Sequence, residues 1–371
     1  MPTTLIQRHY KYLLKPNAQQ KEVIVRTFGA VRFVYNRYLD DLKAGKIMPP
    51  MAKDIVNGYR KEYEFLNVID GSALMNTIFQ AQDKAAVMGV YKKRNDQRAS
   101  YCTANLIRSP IRIVGDRYIQ LPKLGNVELV YHRPLPGDAR IKKATIMREG
   151  DGKYYVSVMI ESYPQIPKAA IDLENSIGID YSSPHFFIDD QGNRIDMPHF
   201  YQNMQDRLSQ EKKKLNRMKK GSKNYYEQKM KMAALYQKVK NQRMDYLHKL
   251  TTKIADKYDV VCMEDLDMQQ ISQHFDLGKR TYDNAYGLFS RLLKYKMKQR
   301  GKLLLYADRY FPSSKTCHVC GYVNYNLKLS DRFWQCPQCK TYLDRDVNAA
   351  RNIKIKCIQD YKCRRVSGQS L

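Results

Sequence analysis

The amino-acid sequence predicts a multidomain α+β protein, in which helices and a small antiparallel β module precede an α/β domain with an inserted metal-binding finger. Three observations predict it. The chain has 371 residues with 43% hydrophobic content, long enough for two or three domains with packed cores. Between Ile107 and Glu161 short apolar runs are separated by Gly, Pro and Asp turns, whereas from Ser176 onward such runs alternate with helical stretches. Four of the eight cysteines form two CxxC pairs in the last quarter of the chain.

In chain order, LIQRHYKYLLK mixes apolar and polar residues as a strand does, and Pro16-Asn17 ends it. From Gln19 to about Leu42, Val23, Phe28, Val31, Val34, Tyr35 and Leu39 recur at helical spacing. A second helix is expected from Ser72, as its N-cap, to about Lys93. The runs IRIVG, YIQLPKL, VELVY, KATIMR and KYYVSVMIE then suit a small antiparallel barrel or sheet. Pro164 and Pro167 mark a linker. Beyond it come strand-like SIGIDY, HFFIDD and NRIDM, a long polar helical stretch, strand KYDVVCMED, a helix near Asn284 to Arg300, and strand KLLLYADRY. This order is compatible with an RNase H-like α/β domain. The CxxC pairs fall between its last strand and an Ala-rich helix, so the finger is an insertion.

The net charge of +28 exceeds what solubility requires and points to a polyanionic partner, nucleic acid first. The basic residues are spread along the chain rather than gathered beside one amphipathic anchor, which argues against a membrane surface. Arg8, His9, Lys11 and Lys15 interrupt the start, so a secretory signal is not expected, nor does any stretch reach transmembrane length. CxxC pairs without an export signal favour metal ligation in a reducing, cytoplasmic compartment.

Asp180 in SIGIDY and Glu264 in VVCMEDLD end apolar runs that read as buried strands, and Asp346 in YLDRDVNAARNI opens a helix. Such placement brings distant carboxylates to one sheet edge. Their repulsion is relieved by a divalent cation, and hard oxygen ligands favour Mg2+ or Mn2+. Paired metals of this kind drive phosphodiester hydrolysis. The competing reading makes them solvated strand-end acids.

Cys317, Cys320, Cys336 and Cys339 have the spacing C-x2-C-x15-C-x2-C of a zinc ribbon, and Gly321 and Pro337 suit its tight turns. A redox dithiol would need only one pair. Cys102, Cys262, Cys357 and Cys363 lack ligand spacing and read as core or surface thiols. From Arg207 to Lys249 the sequence reads as helix, break at Gly221, helix. Its bases, among them Lys212, Lys213, Lys219 and Lys220, outnumber its acids, which favours phosphate-backbone contact over a merely solvated hairpin. The 29 tyrosines suit base stacking or ordinary packing, and His185, His199 and His248 show no partner spacing.

GID around Asp180, MEDL around Glu264, FPSSKTCHVCG, CPQC and LDRDVNAARNI together resemble the TnpB proteins of IS200/IS605-type transposons, relatives of the Cas12 effectors. LKPNAQQ, FGAVRFVYN, LPKLGNVEL, RMKKGSKN and DYLHKLT extend the resemblance over nearly the whole chain. It implies a wedge β-barrel over 1–16 and 103–168, a helical recognition region over 17–102, a RuvC-like nuclease domain over 169–314 and 341–371, and a zinc-ribbon insertion over 315–340. It also implies an RNA-guided DNA endonuclease. The implied partners are a guide RNA from the transposon end, double-stranded target DNA with a short adjacent motif, and the displaced single strand, in a prokaryotic cytoplasm at the nucleoid. Asp180, Glu264 and Asp346 match the family's acids, with Asp344 as the fallback for the third, and the four cysteines match its zinc ligands. The chain departs at Tyr181-Ser182-Ser183-Pro184, where relatives carry a small hydrophobic and Gly, and at Tyr286, where they commonly carry Trp. Asn76, Gln80 and Lys84, at spacing four on the second helix, are candidates for reading the adjacent motif, with helix-surface polarity as the competing reading. Two other functions compete: a guided DNA-binding repressor without cleavage, and a transposase acting directly on element ends.

Overall fold

The computed structural model of the chain describes residues 5–85, 90–93, 98–163, 171–182, 185–267, 285–328 and 330–367. The chain divides into two compact units, Met1–Gln165 with Met218–Ala234, and Ile166–Arg217 with Leu235–Leu371. The linker prolines Pro164 and Pro167, the helix start at Asn284, and Ser183-Pro184 lie outside the described residues.

In the first unit β1 (Ile6–Lys15) leads into α1 (Ala18–Lys43), α2 (Ala52–Glu62) and α3 (Gly71–Ala85). Then follow β2 (Ala99–Ala104), β3 (Arg112–Val114), β4 (Tyr118–Leu121), β5 (Gly125–Val130), β6 (Arg140–Arg148) and β7 (Tyr154–Ser162). The strands pair antiparallel in the order β2-β6-β7-β1-β5-β4-β3. Strict alternation sets the faces: Tyr10, Tyr12 and Leu14 of β1 and Val156, Val158 and Ile160 of β7 are buried, and α1 to α3 share their core. The sheet ends at β2 and β3, which do not pair with each other, so the expected barrel is an open half-barrel. Helices α1 and α3 pack against β2 at that end.

Asn17 caps α1, its side chain accepting from Gln20 N at 2.8 Å while Gln20 Oε1 accepts from Asn17 N at 3.0 Å. Ser72 is not the N-cap of α3. Asp70 is: its carboxylate accepts from the backbone N–H of Ser72 (3.2 Å) and Ala73 (3.3 Å). Ser72 Oγ instead accepts from Ala104 N at 2.7 Å, fastening α3 to the end of β2. Lys93 falls in coil beyond α3. Helix α2 is not among the expected elements, although its buried Ala52, Ile55, Val56 and Tyr59 have helical spacing.

The second unit holds β8 (Ser176–Tyr181), β9 (Phe187–Asp189), β10 (Arg194–Ile195), α4 (Gln202–Asn216), and α5 (Lys223–Lys257) from Leu235 onward. It continues with β11 (Val260–Glu264), α6 (Tyr286–Gln299), β12 (Leu303–Ala307), the hairpin β13 (Phe333–Gln335) and β14 (Tyr342–Asp344), and α7 (Arg345–Val366). Gly221, at φ 90°, makes the expected break between α4 and α5. The main sheet has the order β10-β9-β8-β11-β12, with β8, β11 and β12 parallel and β9 antiparallel to β8 and β10. Ile177, Ile179, Val261 and Met263 bury one face against Leu247 and Ile254 of α5 and Phe289 and Leu293 of α6. Val260, Cys262 and Leu305 turn the other face to Ile353, Cys357 and Tyr361 of α7.

Candidate active site

Parallel pairing of β8 with β11 puts both strand ends at one edge of the sheet, where loops leave the strands. Met263 lies opposite Ile179, so Glu264 and Asp180 follow at the same level. Both belong to the alternate set that faces α7, the set of Gly178 and Cys262. Helix α7 can cross that face closely because residue 178 is Gly: a Cβ there would overlap the Ala350 carbonyl oxygen and come within 2.8 Å of Lys354 Cβ. The register of α7 is fixed further by Lys354 Nζ, which donates to Ser176 O (2.9 Å) and Asp190 Oδ2 (3.0 Å). Asp346, in the first turn of α7, is thereby brought to the two strand-end acids.

The two acids of the DRD triplet divide the work. Asp344 caps α7, Oδ1 accepting from the backbone N–H of Asp346 (3.0 Å) and Val347 (3.1 Å) while Oδ2 pairs with Arg194 at 2.8 Å. Its oxygens are spent on structure, which leaves Asp346 as the acid that faces the site.

The carboxylates oppose one another. Burial, then the charges of Glu264 and Asp346, push the Asp180 carboxyl well above the usual carboxylate range, with Arg345 acting weakly the other way. Burial also raises Glu264, against the Ser313 hydroxyl, which donates to its Oε1 at 2.5 Å. Arg332, just before β13, donates to both oxygens of Asp346 at 3.1 and 3.4 Å. The donor set fits a hard divalent ion: oxygen-only ligands, excess negative charge, and an arginine paired with the third acid. Among the described residues, the ligand atoms of Cys317, Cys320, Cys336 and Cys339 all lie within 4.8 Å of one another.

Those four cysteines sit in two knuckles of like geometry. Gly321 N donates to Cys317 O and Lys340 N to Cys336 O, each at 2.9 Å, and Gly321 and Lys340 both have positive φ, 77° and 62°. The expected glycine is there in the first knuckle; in the second a lysine takes the left-handed position. Sγ–Sγ distances of 3.6 Å for Cys317–Cys339 and Cys320–Cys336 fit tetrahedral ligation of Zn2+. Thr341 Oγ1, 3.2 Å from Cys339 Sγ, and the Thr341 backbone bring that thiol down to about 6, the direction that favours the thiolate a metal needs.

The asparagines of NAARN tie this ribbon to the acids. Asn348 Nδ2 donates to Thr316 O (2.7 Å) and its Oδ1 accepts from His318 N (3.0 Å), while Asn352 Nδ2 donates to Ser313 O (2.8 Å). One helix thus holds the segment that delivers both Ser313 to Glu264 and Cys317 to the ribbon. Sequence reasoning does not single out Ser313, Arg332, Asn348 or Asn352. The motif runs FPSSKTC and DRDVNAARN contain three of them, but no spacing distinguishes their roles.

Lys212, Lys213, Lys219 and Lys220 are exposed, as are Gln80 and Lys84. Asn76 is half-buried, and its Nδ2 donates to Ser72 O at 2.9 Å, within its own helix. His185, for which no partner is expected from spacing, has Nδ1 2.6 Å from Asp196 Oδ1. Cys102, Cys262 and Cys357 are buried and Cys363 is exposed. Among the described residues no helix is long and apolar enough to cross a membrane.

Three family models match parts of the chain: a helix-turn-helix domain of OrfB_IS605 over residues 1–44, OrfB_IS605, described as "Probable transposase", over 157–274, and a Cas12f1-like TNB domain over 286–353. A Streptomyces pristinaespiralis protein named "Putative RNA-guided DNA endonuclease" is 29% identical over 363 residues, 94% of this chain and 89% of the relative. InsQ of Escherichia coli K12, which carries the same description, is 27% identical over 380 residues, 93% of this chain and 90% of InsQ. Among solved structures, Cas12f1 from a complex with sgRNA and target DNA matches with TM-score 0.56 at 14% identity, covering 94% of this chain and 99% of that one.

Proposed function

We propose that this chain, which belongs to the TnpB family of IS200/IS605-type transposon proteins, is an RNA-guided DNA endonuclease whose RuvC-type site is Asp180, Glu264 and Asp346. The observation that carries the site is the meeting of three carboxylates, from β8, β11 and the first turn of α7, at one end of a sheet ordered β10-β9-β8-β11-β12. That strand order supports the RNase H-like arrangement read from the sequence. The named activity of relatives spanning most of this chain supports the reaction.

Mg2+ or Mn2+ bound by these three acids would supply activated water and charge neutralisation for phosphodiester hydrolysis. Everything else is done by the chain. Asp180, on whose carboxyl the charges of both Glu264 and Asp346 act, would be the ligand common to the site. Ser313 orients Glu264 by holding one of its oxygens. Asp346, held by Arg332 in the ion-free chain, would serve as the third ligand, and the Arg332 guanidinium beside it would be a cation for the scissile phosphate. The four cysteines would hold Zn2+, which would fix the ribbon that carries Arg332. The guide RNA supplies sequence specificity by base pairing, while exposed lysines, Lys212, Lys213, Lys219 and Lys220 among them, contact phosphates. Displaced single-stranded DNA is the strand presented to the carboxylates. Gln80 and Lys84 remain candidates for motif reading, as does Asn76, although its Nδ2 is turned to Ser72 O (2.9 Å) and Ser72 Oγ (3.4 Å).

The test is expression beside native flanking DNA, sequencing of the co-purified RNA, and Mg2+-dependent cleavage of a target matching the guide. Asp180→Ala and Glu264→Ala are expected to abolish cleavage with RNA binding intact. A discrete guide with no cleavage by the wild-type chain would favour the repressor, and RNA-independent strand joining would favour the transposase.

A further inference from the structure

The hairpin of β13 and β14 has two unlike faces. On one, Trp334 and Leu343 are buried with Leu327, Cys317 and Cys336 as the core of the ribbon. On the other, Phe333 and Tyr342 are 54% and 71% exposed, and their rings lie parallel, with 2° between planes and 5.9 Å between centroids. The two are diagonal neighbours, because Phe333 pairs with Asp344 and Gln335 with Tyr342. The ribbon core is complete without them. Two parallel rings left open on a face that otherwise carries Gln335 and Asp344 can accept a third flat ring, such as a nucleobase. The surroundings favour that occupant over an apolar protein surface. Arg332, directly before Phe333, is exposed and donates to both oxygens of Asp346 at 3.1 and 3.4 Å, and Lys340 is exposed at the other end of the hairpin. A polynucleotide strand matches both features, with bases for the rings and phosphates for the cations.

We propose that Phe333 and Tyr342 form a base-stacking platform that holds single-stranded DNA beside the carboxylate site, with Arg332 meeting the phosphate at its edge. The inference rests on the endonuclease reading of that site and names how the strand to be cut is held there. Phe333 is joined to Arg332 and paired with Asp344, two residues before Asp346, so a base on these rings places its backbone at the Asp346 end of the site. Every base has a flat face, so the platform adds grip without sequence preference, as suits a chain whose specificity comes from a guide. Bases inside a duplex are already stacked on one another, so the platform takes the unpaired strand.

Phe333→Leu with Tyr342→Leu removes both rings and keeps apolar residues in the strands, whereas Phe333→Tyr with Tyr342→Phe keeps both rings. The probe is an oligothymidylate carrying one 2-aminopurine, whose fluorescence is quenched when it stacks. It is added to the zinc-loaded, full-length chain at raised salt, where phosphate contacts elsewhere on the chain are weakened. We expect the wild type, the ring-keeping pair and Asp180→Ala to quench alike, and the leucine pair to quench little and bind about 10-fold more weakly. Single-turnover cleavage of a guided target should fall by a similar factor in the leucine pair. Undiminished quenching by the leucine pair would overturn the proposal, and so would an unchanged rate of guided cleavage. Should that pair lose zinc, Tyr342→Leu alone, at the more exposed position, is read in the same way. A wild-type chain that self-associates, and that the leucine pair makes monomeric, would give this face to a contact between copies and overturn the proposal. If the leucine pair loses the quenching while the wild-type chain cleaves no guided target, the platform stands as a strand-binding site and the endonuclease reading falls.

Discussion

Gly178→Ala tests whether the packing of α7 on β8 builds the site. The added Cβ would stand 2.8 Å from Lys354 Cβ and 3.1 Å from the Ala350 carbonyl carbon, and would overlap that carbonyl's oxygen. Ordinary van der Waals contact begins near 3.4 Å, so the Lys354 contact alone demands about 0.6 Å of retreat and the carbonyl oxygen demands more. The obstruction is helix backbone, which has no rotamer to change. Either α7 moves off the strand by about 1 Å or the core on both sides absorbs the strain, at a cost of about 1–3 kcal/mol. For a unit of this size that lowers the melting temperature by roughly 2–12 °C. The same movement displaces Asp346 from Asp180 and Glu264, and a misplacement of about 1 Å costs about 100-fold in rate. Thermal melts and single-turnover cleavage with a saturating guide measure the two effects, with guide binding as the control. A variant that melts and cleaves like the wild type would refute the close-packing argument.

Three further outcomes follow from the site. In ion-free protein Asp180→Asn should be more stable than wild type by about 1 kcal/mol at neutral pH, while losing cleavage. The sign follows from the raised carboxyl: the folded state holds its proton more tightly than the unfolded state, so stability falls as pH rises from the ordinary carboxylate range to the raised value. The wild-type deficit relative to Asn should therefore grow over that window and then level off; denaturant melts at several pH values with chelator present would show it, and a constant difference would contradict it. Ser313→Ala should lower cleavage about 10-fold with little change in melting temperature, because it frees Glu264 to rotate; equal rates across a Mg2+ titration would dismiss that role. Metal analysis should find about one zinc per chain, and Cys339→Ser or strong chelation should expose residues 315–340 to protease and abolish cleavage, since the ribbon carries Arg332.

What can be read from sequence divides along physical lines. Strands β8 and β11 announce themselves because an apolar run that stops at an acid suits a buried strand reaching a sheet edge, and the cysteine spacing is set by tetrahedral chemistry. Ser72 reads as an N-cap because a serine before an apolar run has the right type, and only the partners show that Asp70 holds the N–H groups while Ser72 serves β2. The β runs leave barrel and sheet open, and the resemblance alone implies a barrel, because alternation specifies which face is buried but not whether the terminal strands meet. Asn76 reads as a surface residue because helical spacing fixes a face and says nothing about a side chain returning to its own backbone.

The residues that sequence does not rank are those that connect one motif to another. Asn348 and Asn352 are small polar residues in a helix, a common pattern, yet both are nearly fully buried and their amides hold the strand exit that carries Ser313 and Cys317. Gly178 is one of 18 glycines, distinguished only by what lies opposite. These positions share a property: each is defined by a partner more than 30 residues away in the chain, so no local pattern encodes it. The candidate acids and the cysteine pairs are therefore legible one motif at a time, whereas the packing that brings them together is visible only when α7 is seen to touch the sheet with one end and the ribbon with the same turns. Ribbon and carboxylates are one mechanical assembly through this helix, which is why zinc loss is expected to silence a site that contains no cysteine.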